Sequence, residues 1–509
     1  MAVGDPAKPR LIIIGLDGAT WDLINPMVAE GKLPAIQRIL NEGQSGVLES
    51  VIPPVTAPAW ATMLTGVNPG EHGVFAMTMP DPTKGGLHRP VCMTDWKAKP
   101  LWARLDERGL STGFLGVPFT FPPPRGNGWL ISGIMGTPRY DERMFNPRAL
   151  HAEVTQAAGT YPLDPPTKSR DTMPFDLLQR QIDWMRQATL HMLVEHPVDV
   201  FMVVENYTDH VAHSFFKTRT YEHRGQRIDL LEHAYRAADE LIASVREIVG
   251  EDAQIVLVSD HGMGALRGYI NIEAALSVRG SAPVGRTLLR LAWRGMLRLL
   301  PAAAIARLKN AFFSRPKAAR TVPFGEATIS VSGMEASIRV LTDDPSLRQR
   351  TTEQLLAQLR SLVNPADGRP VFSPLAGRDL FEGPYAALGP DVIAWPAEQG
   401  YEHLLWAPSW LPLLPTLEEV RRAGVARAQA GAEGAHRLAG IFLTNRPAAP
   451  GSPRPPSKLQ EVVGYCLNCL GDEGASSQPA EAPPAAEEPA YTEDEQDLIE
   501  QRLADLGYM

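Results

Sequence analysis

Four short runs of β-branched and aliphatic residues stand out along the chain: Leu11 to Leu16, Val200 to Val204, Ile255 to Val258 and Gly440 to Leu443. They are apolar throughout and lack polar alternation, which fits strands buried on both faces of a sheet. Helical patterns lie between them, at Leu33 to Leu40, Trp60 to Leu64, Leu177 to Leu193 and Ile228 to Val249. Strands alternating with helices predict an α/β fold with a mostly parallel central sheet and helices on both faces. Asp391 to Trp395 offers one further strand.

Two segments break this pattern. Between Gly285 and Gly325 nine Lys or Arg occur without an acidic residue, and Arg286, Arg290, Arg294 and Arg298 recur every four positions among Leu, Trp and Met. That is a basic amphipathic helix, open to three readings: a cap packed on the core, an anion-attracting lid, or a peripheral membrane contact through 286–320. From Gly471 to Ala490 the chain is acidic, rich in Pro and Ala and without apolar periodicity, which predicts a disordered linker. Beyond it, Thr492 and Glu495 have capping-box spacing, and Leu498, Ile499 and Leu503 form an apolar stripe. A terminal helix that docks back on the body is expected there. The expected organisation is therefore a core over 1–265 with a cap segment at 138–174, an inserted helical cap over 266–344, and the rest of the core over 345–470. A linker over 471–490 and a docking helix over 491–509 complete it.

Composition narrows the class without naming it. The 509 residues are 44% hydrophobic and 21% charged, ordinary values for a globular protein. The net charge of −9 is concentrated from Gly471 onwards, where eleven acidic residues face one Arg, so the body is close to neutral. No case for nucleic-acid binding follows. Three cysteines argue against a disulfide framework, and the lone CxxC at Cys466 and Cys469 reads as two thiols on one helical face. The first residues pass straight into LIIIGLD, too short for a signal-peptide core, and no run of about 20 apolar residues could span a bilayer. A cytoplasmic protein is expected.

The candidate chemistry sits where the apolar runs stop. The first ends at Asp17 in GLDG, a residue that taken alone would also serve as a helix cap. The second leads into TDHVAH, where Asp209 and His213 share a helix face at i and i+4, while His210 points about 100° away. The third ends in Asp260-His261. His436, in GAHRLAGIF, precedes a strand and by itself reads as a surface-loop histidine. Three Asp and three His would serve two divalent ions, with about three protein ligands each. Thr56, in PPVTAPAWATMLTG, reads as the N-cap of a helix, where free N–H groups and the dipole favour a phosphate and an alkoxide. A metal ion beside it would lower the hydroxyl pKa enough for attack.

The motifs IIIGLDG, PPVTAPAWATMLTGVNPGEHGV, TDHVAH, SDHGMG and GAHRLAGIF, in that order, resemble the alkaline phosphatase superfamily. The branch they are most similar to is the type I phosphodiesterase/nucleotide pyrophosphatase group, over roughly residues 10–270 and 385–509, and YTEDEQDLIEQRLADLGY resembles the ending of prokaryotic relatives. The resemblance implies an alkaline phosphatase-like fold and a metal-dependent phosphoric ester hydrolase acting on a small phosphate ester. It places Asp209, His213 and His436 on one zinc, and Asp17, Asp260 and His261 on the other. Thr56 becomes the nucleophile of a phospho-threonine mechanism and a further ligand of the second ion, with manganese as the alternative metal. Departures bear on the substrate. The Asn that this branch carries after the nucleophile's helix is missing from Val74 to Thr78, leaving Thr78 as the one polar stand-in. TAPAW does not fit the sulfatase pattern, the Arg of alkaline phosphatases proper has no evident counterpart, and His72 reads as structural support. A phosphodiesterase is expected. A phosphomonoesterase, a mutase-like phosphotransferase and a non-catalytic metal-binding scaffold are the alternatives.

Overall fold

The apolar runs become the middle of one sheet because residues shielded on both sides need no polar face. In the computed structural model, which describes residues 8–80, 88–163, 175–276, 319–333, 336–404, 411–423, 432–471 and 490–505, that sheet has eight strands. From edge to edge they are Gln44–Glu49, Ala439–Thr444, Gln254–Val258, Leu11–Leu16, Val200–Glu205, Thr112–Leu115, Gly128–Ile131 and Phe145–Asn146. Every residue of Leu11–Leu16 and Val200–Glu205 is buried. Leu11–Leu16 pairs in parallel with both neighbours, Gly15 standing opposite Val258 on one side and Val204 on the other. Ala439–Thr444 runs antiparallel between Gln254–Val258 and Gln44–Glu49, and Phe145–Asn146 closes the other edge in the same sense. The sheet is thus mostly parallel with antiparallel margins. Its three central parallel strands stop at a common rim, the place where open α/β sheets bind ligands.

The helix Thr56–Thr65 is pressed onto this sheet by Trp60, wholly buried. A Cβ on Gly15 would lie 2.5 Å from the Trp60 ring and 2.9 Å from Val204. Bare backbone at residue 15 therefore sets how close the Thr56 helix comes to the central strand.

A second sheet has five strands: Ala319–Phe324, Ala327–Ser332, Ser337–Leu341, Val392–Ile393 and Leu375–Ala376. The helix Pro345–Arg360 packs on it through Leu355, Leu356 and Leu359, and Ile329, Ile338, Val340 and Val392 complete a separate apolar cluster. The strand expected near Asp391 exists as Val392–Ile393 but belongs to this sheet. The sheet also takes strands from both sides of residue 344, because its half-buried alternating strands (ATISVS, for instance) pair across long loops. Arg286, Arg290, Arg294 and Arg298, the linker from 472 to 489 and residues 164–174 of the 138–174 segment lie outside the described residues. Among the described residues no helix is long and apolar enough to cross a membrane. Cys466 and Cys469 are free thiols on the helix Val462–Cys469.

The helix Glu493–Asp505 packs on the body through part of its apolar stripe. The Thr492 N–H donates to Glu495 Oε2 at 3.1 Å and the Glu495 N–H returns to Thr492 Oγ1 at 3.4 Å. Ile499 and Leu503 join the main core, and Leu498 is half-buried. Tyr491 stacks on Phe121 at 5.7 Å and donates its hydroxyl to Gly136 O at 2.7 Å, and Glu495 meets Arg143 at 2.7 Å. Tyr491→Ala is expected to cost about 3–5 kcal/mol, as for other buried aromatics, and Tyr491→Phe only about 1. Urea denaturation midpoints measure both; equal midpoints for Tyr491→Ala and the parent protein would show that the helix is not anchored there.

Candidate metal centre

At the common rim the chain turns from apolar strand to charged side chain three times. Leu16 is followed by Asp17, Glu205 by the helix Tyr207–Phe215 that carries Asp209 and His213, and Val258 by Ser259, Asp260 and His261. Asp17, Asp209, Asp260 and His261 have no exposed surface. Asp17 does not cap the next helix, since Thr20 does so through the Asp22 N–H. Gly18 adopts φ +66°, and a Cβ there would lie 2.8 Å from Asp209 Oδ1. Its N–H donates to Asp260 Oδ1 at 3.2 Å. The glycine of GLDG is what lets the three carboxylates close in on one another.

The first group is Asp17, Asp260 and His261. His261 Nε2 lies 3.6 Å from Asp17 Oδ1 and 3.3 Å from Asp260 Oδ2. None of these three atoms has a hydrogen-bond partner, although all are buried. His261 Nδ1 is 3.1 Å from the Gly262 carbonyl, which places the ring proton there and turns the Nε2 lone pair towards the two carboxylates. Neighbouring ligand atoms in a tetrahedral zinc shell with bonds near 2.0 Å sit about 3.3 Å apart, so the spacing fits a divalent cation. The electrostatics point the same way. Burial, then the Asp260 and Asp209 charges, push Asp17 well above the usual carboxylate range. Burial and Asp209 push Asp260 up to about 7, and burial holds the His261 imidazolium far down. These groups lack positive charge, and a bound cation would supply it.

Asp209, His213 and His436 form the second group. Asp209 Oδ2 is 3.4 Å from His213 Nε2, Asp209 Oδ1 is 3.4 Å from His436 Nε2, and the two Nε2 atoms are 2.9 Å apart. His436 Nδ1 donates to the Pro54 carbonyl at 2.7 Å, so its Nε2 also presents a lone pair inward. Burial pushes His213 down to about 4. Burial alone would raise Asp209, but the imidazoles of His213 and His436 outweigh it and hold that carboxyl well below its ordinary value. His436 is not on a surface loop. It lies in the strand Gly434–Arg437, antiparallel to Gly262–Ala265 with Met263 opposite, and its side chain is 5% exposed. The His261 and His436 rings stack at 3.7 Å, and Asp209, His261 and His436 offer ligand atoms within 4.8 Å of one another. The two groups therefore share a wall, with Asp209 facing both.

Thr56 is not the N-cap that its sequence suggested. Val55 is: its backbone is extended at φ −115° and ψ 136°, and its carbonyl accepts the first helical bond from the Ala59 N–H at 3.0 Å. A capping Thr56 would bond an N–H two or three residues on, but Pro58 has none and that of Ala59 is taken. The Thr56 hydroxyl is consequently buried without a hydrogen-bond partner at the first turn of a ten-residue helix. The Pro54 carbonyl bound to His436 ties this turn to the second group.

Other sequence candidates stand apart. His72 meets Thr62 Oγ1 at 2.8 Å through Nε2 and receives the Val74 N–H on Nδ1, and burial lowers it to about 3, so it braces the Thr56 helix. Thr78 lies 3.3 Å from His88 in a strand pair. His210 turns away into a cavity under the terminal helix, beside Met135, Ile499 and Leu503. Sequence reasoning missed Asn206, which donates to Asp17 Oδ2, and Thr208, whose hydroxyl lies 2.7 Å from the Asp17 carbonyl. Their position just past an apolar strand was the available signal.

The profile of the family described as type I phosphodiesterase / nucleotide pyrophosphatase matches residues 11–335. No curated protein matches the chain in sequence. Among solved structures, phosphonoacetate hydrolase from Sinorhizobium meliloti 1021 in complex with phosphonoformate is similar with a TM-score of 0.55 at 16% identity, covering 91% of this chain and 96% of that one. The same protein in complex with phosphonoacetate gives 0.51 at 15% identity with the same coverage. At such identities the likeness is one of fold.

The raised Asp260 carboxyl must lose its proton when a cation binds, so protons compete below about pH 7, and the raised Asp17 carboxyl adds to that competition. Zinc affinity should fall by about tenfold or more per pH unit below that point. Competition titration against a chelator of known affinity measures this, and a pH-independent constant between 5.5 and 8 (roughly the range in which Asp260 titrates) contradicts it.

Proposed function

The chain belongs to the type I phosphodiesterase / nucleotide pyrophosphatase family, within the alkaline phosphatase superfamily, and on that premise we propose that it hydrolyses a small phosphodiester through a phospho-threonine on Thr56 at a two-cation centre. The observation that carries this reading is the set of buried atoms without partners: Asp17 Oδ1, Asp260 Oδ2, His261 Nε2 and the Thr56 hydroxyl. Unsatisfied buried polar atoms are costly, and four at one rim call for a ligand that satisfies them together.

Asp209, His213 and His436 would hold one cation, and Asp17, Asp260 and His261 the other. Zinc suits the mixed carboxylate–imidazole donors, with manganese as the alternative. When bound, the two ions neutralise the phosphoryl oxygens and the departing oxygen and favour the alkoxide of Thr56. The protein's part is positional. The first turn of the Thr56–Thr65 helix offers the Thr56 and Ala57 N–H groups to a phosphate oxygen, a position that favours negative charge. Thr56 Oγ1 forms a bond to phosphorus in line with the leaving alcohol, whose P–O bond breaks. Water then attacks the phospho-threonine, and its P–Oγ bond breaks to return Thr56 and a phosphomonoester. His72, through Thr62, keeps the helix in place during both steps. The three free cysteines fit a reducing, cytoplasmic setting.

Zinc-loaded protein should turn over bis(p-nitrophenyl) phosphate faster than p-nitrophenyl phosphate. Thr56→Ala should lower diester turnover by about 10³-fold or more while retaining metal, and Asp260→Asn should lose both. Acid-quenched enzyme mixed with labelled diester should carry label on Thr56. Undiminished turnover by Thr56→Ala overturns the covalent route; faster monoester cleavage overturns the diester assignment.

A further inference from the structure

A second meeting of histidine and carboxylate lies far from Thr56. Glu153 sits on the helix Leu150–Ala158, His191 in the last turns of Phe175–Glu195, and His196 just past that helix's end. His191 Nε2 is 2.8 Å and His196 Nε2 2.7 Å from the same atom, Glu153 Oε1. All three ligand atoms lie within 4.8 Å of one another, with the imidazole centroids 6.4 Å apart. The side chains are 21%, 31% and 40% exposed for His191, His196 and Glu153, so water and ions reach them.

The place is built. The His196 N–H donates to Met192 O at 3.1 Å and its carbonyl accepts from Trp129 Nε1 at 3.0 Å, which fixes the backbone beyond the helix end. The helices carrying Glu153 and His191 pack against each other. His196 also stands four residues before Val200, where the buried strand Val200–Glu205 begins. Asp209 lies beyond the other end of that strand, and six strand residues span roughly 20 Å. This cluster and the Thr56 centre therefore occupy opposite rims of the sheet.

Two imidazoles and one carboxylate are the donors of three-ligand zinc sites, which keep a fourth position for water. The donors stand slightly closer here than in a closed shell, about 3.3 Å between ligand atoms. Glu153, at the surface, has room to withdraw by that difference. We propose that Glu153, His191 and His196 form a further divalent-cation site of the zinc class, which staples the helix Leu150–Ala158 to the end of Phe175–Glu195. An ion held only in the folded state raises stability by mass action.

The test uses the full chain, loaded with zinc, dialysed against metal-free buffer and analysed for metal per chain. His191→Ala/His196→Ala should retain one ion fewer than the parent, with diester turnover within about twofold because the altered residues are remote from Thr56. Asp17→Asn/Asp209→Asn should keep an ion that disappears when the two sets are combined. Glu153→Gln, which preserves the hydrogen-bonding shape, should weaken zinc binding at this site by about 100-fold and provides the readout if the double alanine variant does not fold. Equal zinc content in the parent, His191→Ala/His196→Ala and Glu153→Gln overturns the proposal. A difference of one ion in a protein without turnover would sustain this site while overturning the reading of Thr56.

Discussion

Everything at the active rim follows from burying three carboxylates beside one another. Asp17, Asp209 and Asp260 have no exposed surface, and Asp17 rises well above its ordinary pKa partly because the other two are charged. An uncompensated arrangement of this kind costs several kcal/mol per ion. It persists because the sheet that delivers the carboxylates is rigid: each follows a mostly apolar strand paired on both sides. The fold stores electrostatic strain there, which bound cations would relieve. Binding affinity and apo-state instability are then one quantity seen from two sides.

Glycine and tryptophan set the distances. Gly15 allows Trp60 to seat the Thr56 helix on the central strand, and Gly18 lets Asp209 approach Asp17. The Pro54 carbonyl then joins the loop before Thr56 to His436, from the far side of the sequence. Position and protonation are coupled through such contacts: the bond that orients His436 also decides which of its nitrogens carries the proton.

Much of this was legible in the residues. Continuous apolar runs gave the central strands, and the ends of those runs marked five of the seven candidate positions, Asp17, Asp209, His213, Asp260 and His261. What local pattern could not give was pairing. His436 looked like a loop residue because its strand partner, Gly262–Ala265, lies some 170 positions away. Thr56 looked like a cap because the β-branched Val55 offers no capping side chain, so the cap's location shows only in backbone angles and the Ala59 bond. The second sheet was missed for a related reason. Its strands alternate weakly and its members come from both sides of the Pro345–Arg360 helix.

The antiparallel strand Ala439–Thr444 has a consequence for synthesis. It fills the gap between Gln44–Glu49 and Gln254–Val258, so neither can complete its pairing until residue 439 has been made. At ribosomal rates the Gln44–Glu49 segment waits roughly 20–80 s for its partner. Its sequence, QSGVLE, carries polar residues at both ends and buries little before pairing, which suits a strand that must stay soluble while it waits. His436 arrives three residues ahead of that strand. A nascent chain therefore closes its sheet and gains its last imidazole almost together, and no half-made protein has the assembled centre.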